Sequence, residues 1–264
     1  MKRAHKAFEE RTIDELTVED ERSFLHVAPY VDLKEILRRS RYTFYVLPQT
    51  RAERWDRALF LNLTFWGAGG DVLVGDTIPA DVVAHVAWHH LANHAFARPR
   101  GRPKSADALF LGEAIASAFD VYLVGRLLGH APKSTFLATQ VPAMAEAAQA
   151  AGLSAARFEA MLQGIARDPD RAFEDLRALL CDATAALADC NDAADALRAL
   201  RRFDGHRFAA LLHRYELSNW ILYARAYAGE ARDPRVRTVD RALRRSRAPI
   251  EYLAAAWVAP ALDR

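Results

Sequence analysis

Four of the chain's nine histidines, His85, His89, His90 and His94, fall within ten residues of the apolar stretch DVVAHVAWHHLANHAF. Neutral imidazole nitrogens bind zinc at about 2.0 to 2.1 Å, and histidines four apart project from one helix face, so a helix here offers an ion two ligands at once. The pair occurs twice, as His85 with His89 and as His90 with His94. At 100° per residue, His90, Asn93 and His94 project with Val83, Val86 and Ala87, and His85 and His89 share a neighbouring side. Glu113 offers a third ligand, nineteen residues after His94 within LFLGEAIASAFD. An ionised carboxylate is costly to bury in so apolar a context without a partner. Ser117 and Asp120 share its helical face, and Asp120 can accept the remaining ring N–H of a ligating histidine.

These residues need two helices and a frame that holds them together. Pro79 suits the first position of the histidine helix, expected over 80 to 96, because its missing N–H costs nothing there. The loop ARPRGRPKSAD follows, held open by Pro99, Gly101 and Pro103. Its positive charges, Arg98, Arg100, Arg102 and Lys104, fit either a solvated connection or an anion-facing lid. Ser105 or Asp107 opens the second helix, DALFLGEAIASAFDVYLVGRLL, with Gly129 as its cap.

Upstream, a helix is expected around 17 to 27, capped by Thr17, and a capping box of Asp32 with Glu35 is expected to start the helix LKEILRRS. Tyr42 to Leu47 and Leu59 to Trp66 read as strands. GAGG turns the second of them into a third, DVLVG, as a hairpin. Beyond Pro142 the apolar spacing predicts only helices, over 142 to 151, 154 to 166, 170 to 188, 191 to 202, 204 to 228 and 236 to 258. The fold class is therefore α+β and predominantly helical. Residues 1 to 130 carry a small sheet and both site helices, and residues 131 to 264 form a helical part packed on them.

The succession of small sheet, apolar HxxxH helix and second helix bearing GEAIAS resembles the gluzincin metallopeptidases, the thermolysin-like branch of the zincins. Their pattern is HExxH followed about twenty residues later by a helix of the NExxS kind. The resemblance covers about residues 42 to 125. It implies a zincin-like metal helix, zinc held by two histidines and the later glutamate, and water activated by the glutamate inside HExxH. Three registers are available. The first takes His85 and His89 as ligands and puts Val86 at the base position. The second takes His90 and His94 and puts Leu91 there. The third, HHLAN, puts His90 at the base position and Asn93 at a ligand position twenty residues before Glu113.

None of the registers supplies the glutamate, whose role as proton acceptor typically contributes about a hundred to ten thousand fold, so an efficient peptidase is not expected. The expected metal set is His90, His94 and Glu113, with His89 as the residue that takes the proton. His206 and His213 fall seven apart on one face and can approach from the carboxy-terminal helices, where gluzincins often keep a transition-state donor. The expected function is that of a zincin-like metal-binding protein, a metal-assisted hydrolase with an atypical site. The alternatives are a noncatalytic relative binding a peptide or small ligand in the old cleft, and a helical non-haem metal oxygenase, since two histidines and a carboxylate also form the iron facial triad.

Composition removes other classes. Hydrophobic residues at 52% and charged residues at 27% fit a globular protein, and a net charge of +2 does not by itself imply a polyanion partner. The basic tract RDPRVRTVDRALRRSR lacks interleaved aromatics, which argues against a single-strand nucleic-acid platform and for a solvated helix. No run of eighteen apolar residues marks a membrane span, and MKRAHKAFEERTIDEL runs from basic into acidic residues, unlike a signal peptide. Cys181 and Cys190 lie nine apart in one helical stretch, too far for a disulfide, and are expected as reduced thiols in a cytoplasmic protein.

Overall fold

A computed structural model describes residues 8–47, 72–99, 102–229 and 232–263. The architecture is α+β and mainly helical. A three-stranded sheet has the order β1 (Glu9–Arg11), β3 (Phe44–Val46), β4 (Val72–Leu73), with β1 antiparallel and β4 parallel to β3. A second, two-stranded sheet pairs β2 (Thr17–Glu19) with β5 (Thr77–Pro79) in parallel. The expected strand over 59 to 66 and its GAGG turn lie outside the described residues. DVLVG contributes β4, which pairs with β3.

Helix starts differ from expectation where tertiary partners decide them. Thr17 and Val18 are β-branched and pair with Thr77 and Ile78, so the expected helix over 17 to 27 shrinks to α1 (Glu21–Phe24). Helix α2 (Tyr30–Arg39) begins at fully buried Tyr30, with Pro29 before it. Asp32 is therefore inside the helix, and Glu35 pairs with Arg39 at 2.7 Å instead of closing a capping box.

Helix α3 (Ala80–Ala95) carries the four histidines, and Pro79 stands one residue before it as the end of β5. Helix α4 (Ala106–His130) is buried on nearly every side, from Ala108 through Leu127. It is long and apolar enough by length and composition to cross a membrane, but 89% of its most apolar window is buried inside the fold, as in a core helix. It continues past Gly129, where no left-handed residue stops it. The glycine with φ of 81° is Gly152, just after α5 (Thr135–Ala150), where the amide of Leu153 donates to Ala148 at 2.9 Å.

Helix α5 starts seven residues before its expected beginning and accommodates Pro142 in its interior. Its start is held from afar. The Asp20 carboxylate accepts from Ser134 Oγ at 2.6 Å and from the Phe136 amide at 3.4 Å, and Phe136 packs edge-on against Phe24. The remaining helices are α6 (Ala155–Arg167), α7 (Pro169–Ala188), α8 (Ala193–Arg201), a 3-10 segment Ala209–Tyr215, α9 (Leu217–Tyr227), α10 (Pro234–Arg245), α11 (Pro249–Leu253), a π-helical turn Ala254–Val258 and α12 (Ala259–Leu262). The breaks at Glu216 and after Arg245 divide the two longest stretches expected as continuous helices.

The apolar core runs continuously from Ile13 to Val258, with α4 packed against α3, α6 and α7. Gly125 makes the α4 crossing possible, because a Cβ there would lie 2.7 Å from the Ile165 carbonyl oxygen. Trp88, fully buried on α3, stacks edge-on against Phe119 of α4 and fixes the separation of the two site helices.

Candidate metal centre

Helix α3 is apolar over most of its circumference, but every fourth residue of one row is polar: Asp81, His85, His89 and Asn93. That row faces α4, which runs antiparallel to it. Near one end the charges of Asp81 and Asp120 interact, further along His89 meets Glu113, and at the other end Asn93 meets Lys104, just before α4. The two helices are thus joined by a polar seam set into an apolar interface.

At the middle of the seam three ligand atoms converge. His89 Nε2 lies 3.1 Å from His85 Nε2 and 3.4 Å from Glu113 Oε1, and all three ligand atoms are within 4.8 Å of one another. Four ligands at about 2.05 Å in a tetrahedron stand about 3.3 Å apart, so two of the three edges already have the separation of zinc ligands. His89 Nε2 faces two neighbours, and a proton on that nitrogen can be directed well at one of them. Glu113 is 8% exposed and the two imidazoles are half-buried, so the cluster is sheltered but not sealed from solvent.

Burial pushes the His85 pKa down to about 4, and burial, with His85 and Lys104 adding to it, holds His89 well below its ordinary value. Both rings are neutral at pH 7, the state in which imidazole binds metal. The folded pKa of His85 lies below the ordinary 6.5, so acidification from 6.5 towards 4 favours the unfolded chain. Asp81 and Asp120, raised chiefly by burial, act in the opposite sense. Comparing the native protein with His85→Gln reads out His85 together with its influence on His89: the stability of the native chain relative to the variant should fall between pH 6.5 and 4. Equal pH slopes in urea titrations of the two proteins would contradict the assignment.

The structure does not gather the expected set around Glu113. His90 and His94 meet edge-on with ring centroids 4.5 Å apart on the other side of α3. There they line a cleft of about 340 Å³ with Arg39, Ser40 and Trp257, and His90 meets the Tyr42 ring edge-on. Glu113 groups with His85 and His89, so His89, expected to take the proton, stands among the possible ligands. Asn93 belongs to the row facing α4 rather than with His90 and His94. Among the described residues, Asp120 makes no hydrogen bond to a histidine, and its charged neighbours are Asp81 and Arg214. His206 accepts from the Phe208 amide, and His213 lies in a separate groove with Glu146 and Arg214. Neither joins the cluster.

No family model, curated protein or solved structure matches the chain. The geometry of the seam therefore carries the functional argument.

Three further residues shape this centre. Lys104 donates from Nζ to Asn93 Oδ1, and its charge attracts that of Glu113 and disfavours protonation of His89. Burial lowers its pKa to about 8, against the pull of Glu113. Tyr223 of α9 is close enough for Glu113 to affect its ionisation. Arg235, in the basic tract, donates to the carbonyls of Ala95, Phe96 and Ala97 and so satisfies the end of α3, while Asp233 fixes its guanidinium at 2.8 Å. Arg244 of the same tract pairs with Asp182 and Asp240. Part of this positive charge is thus spent inside the molecule. The loop's run of positive charges already admitted an anion-facing role for Lys104, whereas a distant arginine gives no local signal that it closes α3.

Proposed function

We propose that His85, His89 and Glu113 hold a divalent metal ion, with zinc the ion best suited to two imidazoles and one carboxylate, and that the protein is a zincin-like, metal-assisted hydrolase with an atypical site. The observation carrying this reading is the convergence of the three ligand atoms within 4.8 Å across two packed helices. The HxxxH pair and the later glutamate are then used in the first of the three sequence registers. A metal bound there would polarise a substrate oxygen and acidify a water. His85 and His89 would present neutral nitrogens, Glu113 would supply a negative charge, and Trp88 and Phe119 would keep the two helices in register.

The position after His85 is occupied by Val86, which is 3% exposed and points into the core. This favours the second reading, a noncatalytic protein of the same build that binds a peptide or small ligand in the old cleft. Elemental analysis of protein purified without a histidine tag and dialysed against zinc should find about one zinc per chain. Absence of any bound metal would remove the hydrolase and leave the noncatalytic reading, and stoichiometric iron with oxygen uptake would move the assignment to a facial-triad oxygenase.

A further inference from the structure

We infer that Lys104 and the metal centre together form a subsite for an anionic oxygen, so that the molecule bound at this site carries a carboxylate or phosphate group. The inference rests on the metal reading above and adds the substrate class to it.

The position of Lys104 is built rather than incidental. Its backbone carbonyl accepts from the Gly229 amide at 2.7 Å, which ties it to the chain leaving α9. Glycine suits that close approach, because a Cβ at residue 229 would stand 3.0 Å from Pro103 Cγ and 3.2 Å from the Pro103 carbonyl oxygen, a tight contact. The side chain is half-buried and directed by Asn93, one turn beyond His89 on the row that carries both histidine ligands. Asn93 occupies one of the three N–H donors of an ammonium group.

Charge supplies the second argument. Two neutral imidazoles and one carboxylate leave a bound dication with a net positive charge, and Lys104 places another positive charge within electrostatic reach of Glu113. Counted over the described residues, such an arrangement is costly in a sheltered site unless an anion lies between the two centres, where it gains from both. A ligand oxyanion meeting the metal with one oxygen and Lys104 with another satisfies that requirement. A neutral ligand leaves the repulsion in place.

Cobalt-loaded protein tests this directly, since the visible absorption of Co²⁺ reports both metal uptake and anion binding without any assay of activity. Acetate and inorganic phosphate are titrated separately, which distinguishes a carboxylate from a phosphate site. For the preferred anion, Lys104→Met should weaken binding by about tenfold or more, the usual scale of a lost charge-assisted hydrogen bond. Lys104→Arg should retain most of the affinity. Arg102→Met, which removes an equal charge from an exposed position in the same loop, should change it little. Cobalt uptake with unchanged anion affinity in Lys104→Met, or equal weakening in Arg102→Met, overturns the inference alone. Failure of the native protein to take up cobalt overturns the metal reading and this inference with it.

Discussion

Replacing His89 with alanine is expected to lower zinc affinity by at least about a hundredfold, while replacing His94 changes it by less than about threefold. The first figure is a lower bound, because loss of a residue that merely orients a ligand already costs about 10 to 100-fold. His89 occupies the centre of the cluster, touching His85 at 3.1 Å and Glu113 at 3.4 Å. Its removal deprives the ion of one ligand and of the residue that neighbours both of the others. His85→Ala and Glu113→Gln should resemble His89→Ala, and His90→Ala should resemble His94→Ala. Competition titrations with a chromophoric chelator would measure all five variants. Loss of zinc in the His90 and His94 variants, with retention in the His85 and His89 variants, would transfer the site to the cleft beside Arg39 and Trp257.

Arg177→Met should destabilise the fold by about 3 to 5 kcal/mol, the cost of breaking a buried ion pair from one side. Arg177 is fully buried on α7. It grips Glu174 with two parallel bonds of 2.7 and 2.8 Å and reaches Asp240 of α10 at 2.8 Å. Without the guanidinium, Glu174 is left as a carboxylate only 6% exposed. Lysine cannot reproduce the fork, so Arg177→Lys should recover only part of the loss. The double variant Arg177→Met with Glu174→Gln should be less damaged than Arg177→Met alone, because the stranded charge is gone. Urea unfolding measures the series, and a shift below about 0.5 kcal/mol for Arg177→Met would show the network to be incidental. The same network holds α10, whose Arg235 closes the end of α3, so the unfolding and metal-binding measurements bear on one another.

Much of the helical layout was legible because it depends on local rules. Apolar residues at spacings of three and four marked α3, α4, α6 and α7 to within a few residues. Pro169 and Asp168 start α7 as sequence rules anticipate, with the Asp168 carboxylate accepting from the Arg171 amide. Local reading failed where a distant residue does the work. Asp20 holds the start of α5 from 114 residues away, and Thr17 and Val18 become strand because β5 is there to pair with them.

The candidate site divides in the same way. The sequence by itself determined that α3 would present two histidine pairs, His85 with His89 and His90 with His94, and that Glu113 would follow on a second apolar helix. A four-residue spacing fixes what shares a helix face, whatever surrounds the helix. Which pair faces Glu113 is a matter of how α3 is rotated about its axis, and spacing cannot fix that. The rotation is set by the burial of Trp88 against Phe119 and of Val83, Ala84 and Ala87 in the core, which turns the row of Asp81, His85, His89 and Asn93 towards α4. Lys104 joins that row only because the chain after α9 returns to place Gly229 against it. Long-range packing energy, rather than any local preference, selected the histidines that meet the glutamate.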